Sequence, residues 1–528
     1  MIKKIIYFIL TINIFAFNAG AQNAESEVNL LVKNTKSIFS AIDSKQNYVF
    51  AFQTSSQFEF AFFDPNHKKI GDIIISIPST IRKDEYIGIQ LQDDSCTLYF
   101  LNGHTRMVTQ LNVRRASGQM SKRTVGQLDY TEKFLKSIYL NETFYLLTAT
   151  QGRNQLDVHA VINGAMVKNS YPVEMPDMYK RLSNGNNQLN EDPEAVLGID
   201  RINYSLENNV KSSRATKKIY AFDNSIYLVF DDPDFTHVIH IDLENNTSNY
   251  KQFLFNLDKG NNSSRKQGNS FLYNQVLFRV TMNLDQLTFT VLNIDSNNTY
   301  ATFYATPTMP INFKNGPIIQ ENSTDKQRVL DDNSTFFKKA LSSNLSIAVN
   351  RKDSMYIVEI GSYEEYTSNS YNNMNGGGPS FSMGMGMGSG MGMGMGGMGM
   401  GMGGMGMGGM GMGGMGMGYG GMGYGNPYNN YGWGSPGYYN GYSGYYPYNS
   451  ATTTIRTLYF HSMLDTSSYQ YEEGIVPISL RERVSNFESS MFKDKKPNLV
   501  RIVDFKQQII IGYLLPNKNV FKTYSFDK

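Results

Sequence analysis

Along most of the chain, apolar residues come in short runs separated by polar turns, not at the three-and-four spacing of a helix. Tyr48-Val49-Phe50-Ala51-Phe52, Ile226-Tyr227-Leu228-Val229-Phe230 and Val238-Ile239-His240-Ile241 are examples. β-Branched and aromatic residues dominate these runs, and Asn, Asp, Gly and Ser punctuate them. That pattern predicts an all-β chain of many short strands. Two stretches depart from it. Arg328 to Ser342, with Val329, Leu330, Phe336, Phe337 and Leu341, and Leu480 to Phe492, with Val484, Phe487 and Met491, have the spacing of single amphipathic helices packed on the strands.

One unit recurs. A strand is followed by a polar turn with Asp or Asn, then by a strand with an aromatic or aliphatic centre. It appears at Asp43–Tyr48, Asp94–Tyr99, Asn141–Tyr145, Asp223–Tyr227, Asn274–Phe278 and Asp353–Tyr356, and more weakly at Gln507–Ile510. Tyr48 and Tyr99 are 51 residues apart, Tyr99 and Tyr145 are 46, and Tyr227 and Phe278 are 51. Four strands in about 40–50 residues is the dimension of a propeller blade. In period and pattern the chain resembles β-propeller repeat proteins over most of its folded length. It has no Trp-Asp dipeptide and no Gly-Gly doublet outside one low-complexity tract, so WD40 and Kelch signatures are absent. A row of β-sandwiches is the alternative architecture.

The two ends of the chain sharpen the expectation. Strands are predicted near 498–505, 508–515 and 519–527, one short of a blade, while Glu27 to Lys33 forms an orphan strand before the first unit. A ring must close, and an N-terminal strand that completes the last blade leaves no raw edge there. The expected architecture is seven four-stranded blades closed in this way. Antiparallel order then puts residues 176–215, 307–340 and 477–496, all between blades, on the same face as an interruption between the second and third strands of blade six. That face is the expected binding surface.

Composition changes the picture in one place. The chain has 528 residues, 48 Lys+Arg and 46 Asp+Glu, but residues 366–455 contain no charged side chain at all. This tract holds 32 of the 48 Gly, 17 of the 28 Met and the single Trp. Gly is entropically costly to order, and no alternation offers a folded alternative, so a disordered insertion is expected. The domain reading is residues 1–21 as a signal peptide, 22–365 as blades one to six (first part), 366–455 as the insertion, and 456–528 as the completion of blades six and seven.

Two chemistries are legible in the tract. Met383, Met385, Met387, Met391, Met393 and Met395 stand at Met-x-Met spacing, and thioethers of this kind capture a soft ion such as Cu(I). Tyr419, Tyr424, Trp433, Tyr438 and Tyr439 lie on a Gly-rich background, a composition that favours self-association or partner contact. A tolerated repeat expansion without a role is the bland reading.

The remaining chemistry excludes more than it suggests. Lys3 and Lys4, the apolar run Ile5–Phe17 and Ala19-Gly20-Ala21 have the order of a cleaved secretory signal. Cleavage after Ala21 removes both lysines and leaves a neutral chain, and with no Cys beside the cleavage site it is not a lipoprotein. Expected are a periplasmic or extracellular location, a protein or glycan partner in the envelope, and no mature transmembrane segment. The balanced charge argues against nucleic acid. Cys96, the sole cysteine, reads as a buried small hydrophobe. His237 and His240 fall on opposite faces of one strand, and Asp231, Asp232 and Asp234 read as turn chemistry. No catalytic motif stands out. The expected function is non-catalytic binding or scaffolding in the bacterial envelope. Soft-metal capture is the alternative, and a hydrolase or lyase site at the propeller centre the second.

Overall fold

The computed structural model describes residues 25–183, 199–204, 206–232, 234–255, 266–322, 327–369, 451–492, 497, 499–505, 507–515 and 519–528. The chain divides into two compact units. One takes residues 1–366, 426–439 and 454–528; the other takes 367–425 and 440–453, nearly all of it outside the described residues. The expected signal peptide, residues 1–21, and the Met and Tyr tract likewise lie outside the described residues.

In the first unit the strands form seven sheets among the described residues. Blade one holds β2–β5 (Ser37–Ile42, Tyr48–Gln53, Gln57–Phe63, Lys69–Ser76), and the lone strand β1 (Ser26–Asn29) precedes it. Blade two holds β6–β9 (Glu85–Gln92, Ser95–Leu101, Met107–Arg114, Met120–Gln127). Blade three holds β10–β13 (Glu132–Leu140, Thr143–Thr150, Gln155–Ile162, Ala165–Pro172). Blade four holds β14–β18 (Ile199–Arg201, Lys217–Phe222, Ser225–Asp231, Phe235–Asp242, Thr247–Leu254). Blade five holds β19–β22 (Gln267–Tyr273, Val276–Met282, Leu287–Asn293, Thr299–Ala305). Blade six holds β23–β27 (Asn315–Asn322, Gln327–Leu330, Asn344–Lys352, Met355–Asn369, Ala451–Asp465). Blade seven takes β28–β30 (Leu499–Asp504, Gln508–Leu515, Val520–Asp527).

First strands of successive sheets lie near one another: β2 by β6, β6 by β10, β10 by β15, β19 by β25, and β28 back by β2. This is a seven-bladed β-propeller. Its closure is the expected one. β1 pairs antiparallel with β30, Val28 opposite Phe521, and supplies the fourth strand of the last blade. The pairing is shorter than the sequence suggests. Leu30 and Val32 lie beyond it, buried in the core that blade seven shares with blade one. There the Glu59 carboxylate accepts the backbone N–H groups of Leu31 and Val32, each at 2.9 Å.

The repeated Asp and Asn residues have a backbone reason. Asn141 and Glu142 both have positive φ, as do Asp223 and Asn224. Two consecutive left-handed residues make the tight hairpin whose twist matches that of the strands, and Asn and Asp tolerate that region. The near-continuous apolar runs follow from burial on both faces. In β3, Tyr48, Phe50 and Phe52 face the core shared with blade seven, while Val49 and Ala51 face the one shared with blade two.

Three expectations are corrected. Two blades have five strands, not four: β14 adds to the inside of blade four, and β23 and β24 add to blade six. The order in blade six is β24-β23-β27-β26-β25, so its outer strands precede its first strand in the chain. The expected helix from Arg328 starts instead at Asn333 and runs to Ser342 (α2; α1 is Met178–Ser183). Val329 and Leu330 are drawn into β24 by pairing with Ile319 and Ile318, and the Asp332 side chain then caps α2 by accepting the N–H groups of Ser334 and Thr335. The third helix, α3 (Leu480–Met491), matches its expected span. It does not lie on the insertion face. Leu480 and Val484 pack on Ile509, Ile511 and Tyr513 of blade seven, while Arg481 lies 3.6 Å from Glu321 of blade six.

Candidate functional site

Residues 176–215 were expected on the surface, and in part they are not. β14 runs parallel to β15 on its inner side, Ile199 opposite Lys217, and the Ile202 N–H continues the ladder to the Ile219 carbonyl at 2.9 Å. Tyr204 then donates to the Leu272 carbonyl at 2.8 Å, and its ring lies 5.7 Å from Tyr220 and 5.1 Å from Tyr273. Leu206 joins the α3 and blade-seven cluster. The segment returns along the first strand of blade six. Asn208 N–H donates to Asn350 Oδ1 at 2.6 Å and Asn350 Nδ2 donates back to the Asn208 carbonyl at 2.8 Å. Val210 N–H donates to Glu359 Oε1 at 2.8 Å, and its carbonyl accepts from Ser346 Oγ at 2.7 Å. Arg214 closes the path with its guanidinium 4.9 Å from the centre of the Tyr363 ring. Residues 202–204 and 206–214 therefore touch the inner strands of blades four, five and six and the helix of blade seven. They lie on the inner side of these blades, towards the axis of the ring.

Side chains make this possible. A polar segment enters an interior only when its backbone groups find partners there. Asn209 Oδ1 accepts the N–H groups of Lys211 and Ser212, and Asn208 Nδ2 donates to the carbonyls of Asn203 and Leu206. Ionisable groups concentrate around the segment for the same reason. Burial pushes Lys218 down to about 8, and its ammonium is held by Asn269 Oδ1 at 2.9 Å and the Ser270 carbonyl at 2.8 Å. Burial likewise lowers Lys211 and Lys217 to about 8. At Glu359 burial raises the carboxyl, but His461, Arg481 and the Val210 N–H outweigh it and hold it below the ordinary value. Burial raises Asp200 against the pull of Arg214, Lys136 and Lys218. Glu207 Oε2 accepts the Arg481 N–H at 3.2 Å, at the start of α3.

A second polar cluster sits in blade three. Glu132 Oε2 and His159 Nε2 are 2.9 Å apart, and Lys168 bridges Glu132 and Asp157. Asp157 also accepts from Thr150, Gln155 and Ser170. Burial pushes Asp157 up, but these hydroxyl and amide donors outweigh it and keep its carboxyl low. Burial lowers His159 despite Glu132. The cluster borders an open groove of about 470 Å³ beside Gln127, Tyr130 and Met166. A buried Glu–His pair beside a lysine could serve acid–base chemistry, yet both carboxylates are spent on neighbours in the same sheet.

None of the candidate residues Met383, Met385, Met387, Met391, Met393, Met395, Tyr419, Tyr424, Trp433, Tyr438 and Tyr439 falls among the described residues. Cys96 is fully buried. His237 pairs with Asp232 and Tyr250, while His240 meets Ser225, so the two serve separate environments. Asp232 Oδ1 caps the turn by accepting the N–H groups of Asp234 and Phe235. Among the described residues, no group of three or more His, Cys, Asp or Glu is placed to hold a metal, and no helix is long and apolar enough to cross a membrane. Sequence reasoning missed the axial residues, because a polar, aperiodic stretch such as Asn203–Arg214 carries the pattern of an exposed loop.

No protein-family model matches the chain, and no curated protein does. Among solved structures it is similar to the β-propeller domain of Nup133 from Vanderwaltozyma polyspora, at 10% identity over 52% of this chain and 76% of that one, with a TM-score of 0.26. It is similar to a prolyl endopeptidase at 10% identity over 64% of this chain and 45% of that one, with a TM-score of 0.29. Prolyl oligopeptidase B from Galerina marginata aligns at 7% identity over 61% of this chain and 38% of that one, also with a TM-score of 0.29. The chain thus covers less than half the length of either peptidase. The order of the sheets, not these likenesses, defines the fold.

Proposed function

We propose that this chain is a non-catalytic binding or scaffold protein of the bacterial cell envelope, and that it binds through the propeller face on which blade six is interrupted between β26 and β27. One observation supports the reading above the others: residues 206–214 cover the inner side of blade six and reach the helix of blade seven. The titratable groups that converge there, Glu359, Lys218 and Glu207, are committed to backbone and amide partners. General acid–base chemistry needs a group poised to exchange a proton with a reacting atom, and these groups serve packing instead. The chain's largest departure from blade regularity, the interruption between β26 and β27, belongs to the end of blade six where second strands finish and third strands begin. That end is also where each blade passes to the next.

The test is affinity capture from envelope extracts with the intact protein and with a variant lacking residues 367–453, after thermal unfolding has shown that the variant folds. A partner retained by the intact chain and lost by the variant supports the proposal. Equal capture by both sinks the assignment to this face. Turnover of a substrate by the purified protein, abolished by substitution of a residue at the axis, overturns the non-catalytic reading.

A further inference from the structure

A cavity of about 540 Å³ lies at the end of the ring where first strands turn into second strands. Turns between first and second strands surround it: Gln46 from blade one, Arg351 and Lys352 from blade six, and Phe505 from blade seven. Its size suits a small ligand or the end of a chain.

The charge of the lining is unbalanced. Arg351, Lys352, Arg483 and Lys528 face two acids, Glu207 and Asp504. Both acids are already engaged, Glu207 by the start of α3 and Asp504 by Lys528. Arg351 and Lys352 stand exposed on a turn tip, so the rim is cationic. Charge complementarity calls for an anion. The amide of Gln46 adds a donor and an acceptor, and Tyr204 adds an aromatic ring.

Tyr204 also begins a row of rings leading out of the cavity across blades five and six. Tyr204 meets Tyr273 at 5.1 Å, Tyr273 meets Tyr356 at 5.6 Å, Tyr356 meets Tyr469 at 6.1 Å, and Tyr469 stacks on Tyr300 at 4.2 Å with the ring planes 1° apart. Tyr356 is the buried link, and Tyr300 is 38% exposed. Aromatic side chains with polar tips provide rigid, amphipathic contact area at a wet surface. A ligand that combines anionic groups, many hydroxyls and flat apolar ring faces matches both parts. We propose that this mouth binds an acidic saccharide, with its carboxylates on Arg351 and Lys352 and a neighbouring sugar ring at Tyr300, the exposed end of the tyrosine row. The site lies at the end of the ring where first strands turn into second strands, and the proposal does not rest on the reading above.

The experiment titrates the full protein calorimetrically with a hexamer of galacturonate, with a neutral galactose hexamer, and with a hexapeptide of alternating Asp and Ser. The galacturonate hexamer should bind, with affinity falling as salt rises, and the neutral hexamer should bind at least tenfold more weakly. The double substitution Arg351→Glu with Lys352→Glu, on an exposed turn, should weaken galacturonate binding at least tenfold while circular dichroism stays unchanged. Tyr300→Ala should weaken it about threefold without changing the salt dependence. Absence of galacturonate binding, equal affinity in the double variant, or tighter binding of the peptide than of the saccharide overturns the proposal.

Discussion

Blades one and two meet differently from blades six and seven. At the first junction the sheets pack directly. Phe39 stacks on Tyr86 with centroids 3.7 Å apart, and Phe58, Phe60, Phe62 and Phe100 fill the space around them. At the second, α3 lies between the sheets. Its apolar side joins Leu206 and blade seven, and its charged side faces Glu321 and Glu359 of blade six. The difference shows two ways of holding a ring. Where the repeat is regular, each blade carries the apolar surface its neighbour needs. Where insertions break the rhythm, the inserted segments supply the packing, and they bring polar groups that must be paired one by one. The first kind of junction tolerates no loss of volume, and the second no loss of a specific partner.

The largest test of this contrast is Phe58→Ala. It removes a fully buried ring from the sheet-on-sheet core and should cost about 3–5 kcal/mol. Leu480→Ala at the helix wedge should cost less than Phe58→Ala in the same denaturant titration, and an equal or greater loss would show that the wedge is the tighter junction. Gly361→Ala comes next. A Cβ there would lie 1.8 Å from the Leu458 carbonyl oxygen of the neighbouring strand, which has no room to yield, and about 3 kcal/mol should be lost by the same measurement.

Glu359→Gln tests pairing instead of volume. It removes a charge that holds Val210 and faces His461, and should cost about 1.5–3 kcal/mol. Amide exchange at Val210 should quicken selectively. Because the native carboxyl lies below its ordinary value, its stabilisation is present above the unfolded value near 4.3 and is lost as pH falls through the folded one. The glutamine variant should therefore lose part of its sensitivity to acid.

The smallest effect concerns His67, His159, His237 and His240, all lowered by burial. Their folded values lie below the unfolded one of about 6.5, so the unfolded chain binds more protons there. Stability should rise as pH goes from 5 to 7 and be fully present above the unfolded value. His159→Gln should flatten that slope. An unchanged slope would move the effect to the other three.

Much of the ring was legible. The period, the Asp and Asn turns and the unpaired strand before blade one follow from local chemistry, because each blade repeats the same strand and turn choices. The helix expected at Leu480 to Phe492 was legible too, from its apolar spacing, and forms at Leu480–Met491. Arg328–Leu330 reads as the first turn of a helix, because apolar spacing alone does not reveal that β23 offers it a pairing partner. The axial segment was not legible at all. Asn208 and Val210 look like loop residues until Asn350 and Glu359, about 140 residues away in the chain, supply their hydrogen bonds.

Sequence alone determined the strand-rich repeat, the number of blades and the strand that closes them, since these rest on local propensity and on counting. It also determined the uncharged tract of residues 366–455, which composition states directly. Only the tertiary structure decided which polar residues are interior. Whether a polar group is exposed or buried depends on a partner brought by another blade, and no local pattern encodes a partner so far along the chain.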